Sequence, residues 1–181
     1  MGRVAVRRPL TFVTEGESDM TLLTTPAVVA AVTVLVVLGV GGALTTIDGW
    51  YRQLAKPRWN PPDWVFGPAW TVILGLAGWA GVLAWGQATT AFVRGLILGL
   101  FAVNIVLHML WSPLFFNWRR PDWALIEIPF LWLSILSLIV GLAPFSTRAS
   151  VLLVPYLLWV SFAAFLNLTI VRMNPPFAPK R

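Results

Sequence analysis

Apolar and polar positions alternate along this chain in long blocks rather than at short period. Five blocks run Pro26–Leu44, Phe66–Trp85, Phe92–Trp111, Trp123–Leu142 and Val151–Val171. Each is close to the roughly 20 residues that an α-helix needs to cross a bilayer. Backbone groups in lipid must be bonded within the segment, so the blocks predict helices. The short dyad pattern of barrel strands is absent. The predicted fold class is an all-α integral membrane protein, a bundle of five transmembrane helices in one domain, residues 26–174. Residues 1–25 carry Arg3, Arg7, Arg8, Glu15, Glu17 and Asp19 and no sustained apolar period. They are expected to form a disordered extension, with Met20 as an alternative start, and residues 175–181 a short tail. The acidic cluster breaks the order of a signal peptide.

Composition sharpens this picture. The 181 residues are 58% hydrophobic and 11% charged, against about 45–50% and about 25% in soluble domains. The net charge of +6 does not indicate nucleic-acid binding, because the basic residues sit at the ends of apolar blocks, where headgroups and water lie. Arg52, Lys56, Arg58, Arg119, Arg120, Arg172, Lys180 and Arg181 fall on one side of the bilayer. Arg94 and Arg148 fall on the other, together with the arginines of the extension. The first side, with the C-terminus, is expected in the cytoplasm. With no cysteine and one histidine, thiol chemistry and a multi-histidine metal site are excluded.

Several motifs stand out. "PPDW" (Pro61–Trp64) and "RPDW" (Arg120–Trp123) precede the second and fourth spans. Asp63 and Asp122 are expected as helix N-caps, with Trp64 and Trp123 in the interfacial belt. Asn104, His108, Trp111 and Phe115 share one helical face, as do Trp159, Ala163 and Asn167, and Trp70, Leu74 and Ala77. These faces suit aromatic packing with polar contacts between helices. They equally suit a pocket for a flat apolar ligand stacked on indoles. His108 fits a hydrogen bond to a neighbouring helix, with axial ligation of a tetrapyrrole metal as the weaker reading. Glu127 fits a structural place near a helix N-terminus as well as a catalytic one. No confident catalytic residue emerges: there is no Ser-His-Asp set, phosphate loop or carboxylate pair. Gly95 and Gly99 form a GxxxG, compatible with tight packing inside the bundle or across a homodimer.

"WY" (Trp50–Tyr51), "KPRWNPP" (Lys56–Pro62), "FGPAW" (Phe66–Trp70), "WSPLFF" (Trp111–Phe116) and "PYLLW" with "LN" (Pro155–Trp159, Leu166–Asn167) occur in this order. In this the chain resembles the TspO family of tryptophan-rich sensory proteins and mitochondrial translocator proteins, the peripheral benzodiazepine receptors. The resemblance covers about Pro26 to Asn174. It implies a multi-pass protein of a bacterial cell membrane, with the outer membrane as the alternative. It also implies an intrabundle pocket that binds porphyrins or haem-like tetrapyrroles, isoquinoline and benzodiazepine ligands, with no cofactor required. The matching positions are Tyr51, Pro61, Trp70, Leu74, His108, Trp111, Phe115, Trp159 and Ala163; Asn104 joins them from its helical face. The family usually has asparagine or glutamine where His108 stands. The last span has no tyrosine in "LNLTIVRMNPPF", which argues against the family's sterol-recognition pattern.

The proline-rich loop then reads as a lid. Pro57, Pro61 and Pro62 restrict its backbone, Trp59 can pack it onto the bundle, and Lys56 and Arg58 can meet headgroups or an acidic ligand. Three functions compete: a receptor or sensor regulating tetrapyrrole or stress responses, a tetrapyrrole transporter, and a light-dependent porphyrin-degrading enzyme using Trp70 and Trp159. The lack of an evident inverted repeat weakens the transporter.

Overall fold

The computed structural model describes residues 15–177, with side chains from residue 25 onward. Helix α1 (Glu15–Leu44) leads to the short α2 (Gly49–Gln53). Helices α3 (Asp63–Gln87), α4 (Ala91–Ser112) and α5 (Pro121–Leu142) follow, then α6 (Thr147–Leu152) and α7 (Val154–Met173). Five segments of this chain are long and apolar enough to cross a membrane, α6 and α7 together forming the last. The five-helix bundle is thus present, and the protein is an integral, multi-pass membrane protein. α1 begins at Glu15, upstream of the expected boundary at Pro26. Between Glu15 and Pro26 there is no proline and a single glycine, so nothing in the backbone stops the helix from continuing upstream. The rest of the expected extension, and residues 178–181 of the tail, lie outside the described residues.

Helix packing closes a ring. α1 lies against α3 and α4, α3 against α6 and α7, and α5 against α4, α6 and α7. The two apolar clusters of the core sit inside this ring, one around Ile135, Leu138 and Tyr156, the other around Tyr51 and Phe115.

Prolines punctuate the spans. Pro113 lacks an N–H, and the backbone after it widens into a π-type turn, Pro113–Asn117. In this turn the Trp118 N–H donates to the Pro113 carbonyl at 2.9 Å. The turn buries Leu114, Phe115 and Phe116. Pro155 likewise separates α6 from α7.

Asp63 and Asp122 do not cap their helices. Pro62 and Arg120 hold the cap positions without side-chain bonds, and the aspartates stand inside the first turns. A carboxylate there still meets the positive end of the helix dipole. Asp122 pairs with both the Nε and Nη2 of Arg120. Trp64 is 74% exposed, facing outward as an interfacial indole should. A Cβ added at Gly95 or Gly99 would meet nothing within 4 Å among the described residues, so neither glycine is needed for a close helix approach inside the bundle.

The lid is tied to this scaffold at several points. The Arg119 Nη2 donates to the Asp48 Oδ2 at 2.9 Å. The Ala55 N–H donates to the Asn174 Oδ1, and the Asn174 Nδ2 donates back to the Ala55 carbonyl, both at 2.9 Å. These contacts gather the first loop, the Pro113–Arg120 turn and the end of α7 at one end of the bundle.

Candidate functional site

Between the helices lies a cavity of about 490 Å³ with lid residues Tyr51 and Asn60 at its mouth. Its walls come from α1 (Leu38, Gly41), α3 (Phe66, Trp70, Leu74), α4 (His108, Trp111), the π-type turn (Phe115, Phe116) and α7 (Trp159, Ala163). Trp70 is the hub. Its ring lies 4.7 Å from His108, 6.0 Å from Tyr156 and 6.3 Å from Trp159, each edge to face. That geometry matches the ring quadrupoles. Trp111 stacks on Phe115 at 5.2 Å. The indole N–H groups of Trp111 and Trp159 are buried with no partner among the described residues, packed out of reach of the cavity although their rings line it.

The polar groups cluster at two levels. Deep in the bundle, Tyr156 Oη and His108 Nδ1 are 3.1 Å apart. The amide of Asn104 donates to Ser134 Oγ at 2.9 Å. At the mouth, the Tyr51 hydroxyl donates to Asp63 Oδ1 at 3.1 Å, and Lys56 Nζ sits 3.4 Å above the Tyr51 ring. Burial, and then the neighbouring Asp63 charge, push the Tyr51 phenol well above its ordinary value. Burial lowers Lys56.

Eight of the ten expected binding residues line the cavity: Tyr51, Trp70, Leu74, His108, Trp111, Phe115, Trp159 and Ala163. Pro61 and Asn104 do not. Asn60 takes the place expected of Pro61 on the wall and donates its amide to the Pro61 carbonyl at 2.8 Å. Asn104 lies one turn from His108 and spends its amide on α5. Trp59 stacks on Phe165 at 5.2 Å and meets Phe162 at 5.9 Å, so it fastens the lid to α7 from outside the cavity. Lys56 and Arg58 are off the wall as well. Asp63 is the one carboxylate on the cavity wall among the described residues, and no lysine or arginine lines the wall; Lys56 stands at the mouth over the Tyr51 ring.

Sequence reasoning missed Phe66, Asn60, the Asn174 latch and Tyr156. Tyr156 had a signal, since it precedes Trp159 by three residues and so shares its helical face. Glu127 stands apart from the cavity. Its carboxylate is buried without a partner, behind a lipid-facing groove lined by Leu107, Ile126 and Phe130.

Comparison with known proteins follows the same lines. Residues 28–173 match the model of the TspO/MBR family. The Tryptophan-rich protein TspO of Chlorobaculum tepidum is 43% identical over 128 residues, 70% of this chain and 80% of its own. The Tryptophan-rich sensory protein of Cereibacter sphaeroides is 36% identical over 133 residues, 74% and 82% of the two chains. The human Translocator protein is 33% identical over 126 residues, 69% and 75%. With the family match running from α1 to the end of α7, over the five spans and the cavity they enclose, this chain belongs to the TspO/MBR family.

Proposed function

We propose that this protein is a membrane receptor or sensor whose cavity takes a porphyrin or a similar flat, apolar tetrapyrrole. The observation that carries the reading is the intrabundle cavity walled by Trp70, Trp111, Trp159, Phe66 and Phe115. Its volume of about 490 Å³ lies within the range of about 300–1,000 Å³ usual for small-molecule sites. Three indoles offer stacking faces. Isoquinoline and benzodiazepine compounds, flat and apolar, fit the same description. The names of the sensory and translocator relatives agree with a receptor role.

Titration of the purified protein with protoporphyrin, followed by tryptophan quenching, tests the reading. Trp70→Leu and Trp159→Leu should each weaken binding by about 1–3 kcal/mol, the worth of one aromatic stacking contact. The outward-facing Trp64→Leu should not. Equal losses from all three would remove the cavity as the site. The same titration under light, with product absorbance recorded, separates receptor from degrading enzyme. The C-terminus is proposed to be cytoplasmic, and periplasmic phosphatase activity from a fusion after Arg181 would overturn that.

A further inference from the structure

His108 is held at one nitrogen and open at the other. Its Nδ1 lies 3.1 Å from Tyr156 Oη. Tyr156 is 1% exposed and packed in the main core cluster, so that hydroxyl is fixed. The other ring nitrogen, Nε2, makes no hydrogen bond to a described residue, and the side chain is on the cavity wall. An imidazole with one nitrogen anchored by an oxygen and the other free toward a cavity is the arrangement of a metal-ligating histidine with its supporting partner.

The protein cannot assemble a metal site from its own side chains there. No three His, Cys, Asp or Glu groups converge among the described residues. A metal bound by His108 must therefore arrive with its other donors already supplied. In this indole-walled cavity, a metal held in a tetrapyrrole ring meets that requirement. The Trp70 ring stands at 76° to the imidazole.

We propose that His108 is an axial ligand, through Nε2, for a metal-bearing tetrapyrrole, and that Tyr156 is its positioning residue. This rests on the porphyrin reading of the cavity and adds a preference for the metallated over the metal-free ring. The bond forms from the Nε2 lone pair at the usual nitrogen–zinc distance of about 2.0–2.1 Å. Nδ1 keeps its proton and makes a hydrogen bond with it to Tyr156 Oη. No proton is released and no oxidation state changes; any solvent ligand on that face of the metal leaves.

The experiment compares zinc protoporphyrin with metal-free protoporphyrin on the same detergent-solubilised protein. Wild type should shift the Soret band of the zinc pigment to the red and bind it about tenfold or more tighter than the metal-free pigment, about 1.4 kcal/mol. His108→Ala should abolish the shift and bring the affinity ratio of the two pigments close to one. Imidazole added to His108→Gly should restore the shift. Tyr156→Phe should keep the shift and bring the zinc-to-free affinity ratio to a value between those of wild type and His108→Ala. A ratio near one in wild type, or a Soret shift that survives His108→Ala in a folded protein, overturns ligation while leaving the porphyrin reading standing. Failure of both pigments to bind wild type overturns both.

Discussion

Asn174 joins the lid to the end of α7 across 119 residues of sequence, and its removal should loosen the lid without unfolding the bundle. Its side chain accepts from the Ala55 N–H and donates to the Ala55 carbonyl, both at 2.9 Å, and donates to the Ile170 carbonyl at 2.7 Å. Asn174→Ala deletes both lid bonds. Each is worth about 0.5–1.5 kcal/mol net, and the lid pair is solvent-exposed, so water replaces the lost partners cheaply. We expect about 1–2 kcal/mol of lid-opening free energy to disappear, roughly a 5–30-fold rise in the open population. The lid keeps its stack of Trp59 on Phe165 and its Asp48–Arg119 ion pair, so it opens more often but stays attached. Amide hydrogen exchange in detergent or nanodiscs reads this directly. The Ala55 amide should exchange about tenfold faster, by the same arithmetic of about 1.4 kcal/mol per decade, while amides of α5 near Ile135 stay unchanged. An unaltered Ala55 rate would show that the latch contributes nothing. Equal acceleration in α5 would show that Asn174 supports the whole bundle rather than the lid.

Gly78→Ala should lower the melting temperature, because its Cβ would stand 2.9 Å from Val34 Cγ2 on α1. Val is β-branched and stiff, so the overpacking should cost about 1–3 kcal/mol. Gly75→Ala, with nothing within 4 Å, should be neutral or stabilising in the same thermal scan. Asp48 should confer acid sensitivity on the lid. The Tyr51 N–H, and then Arg119, hold its carboxyl below the usual range. Its contribution is therefore complete above the ordinary carboxylate value of about 3.9 and fades as pH falls through the lowered one. Exchange at the Tyr51 amide, corrected for its intrinsic rate, should rise only at acid pH; a flat profile would refute this. Ala163→Thr adds bulk on the cavity wall and should weaken isoquinoline binding about fivefold or more, from an overpacking cost of about 1–3 kcal/mol; unchanged isotherms for isoquinoline and porphyrin would remove the α7 face from the site.

The spans were legible because bilayer thickness imposes a length on apolar runs that no soluble fold demands. Helix starts were less so. Proline at the first helical position is pre-set for the helix, so in "RPDW" the helix starts at Pro121 and Asp122 falls inside the first turn rather than at the cap. The site shows the same division between one-dimensional and tertiary information. Helical spacing correctly put Asn104 and His108 on one face, but a face has no depth. Only the crossing of α4 with α5 sends the Asn104 amide to Ser134 and leaves the His108 ring at the cavity. Contacts far apart in sequence, such as Ala55 with Asn174, leave no periodic trace at all. His108 shows how the two kinds of information combine. As a lone histidine in an apolar helix it supported a packing role as well as a ligand role. Tyr156 is placed on the α7 face by its spacing from Trp159, and the ring order of the helices brings its hydroxyl to Nδ1. An anchored imidazole with one open nitrogen is a different chemical object from a buried histidine, and it exists only because two separately readable faces meet.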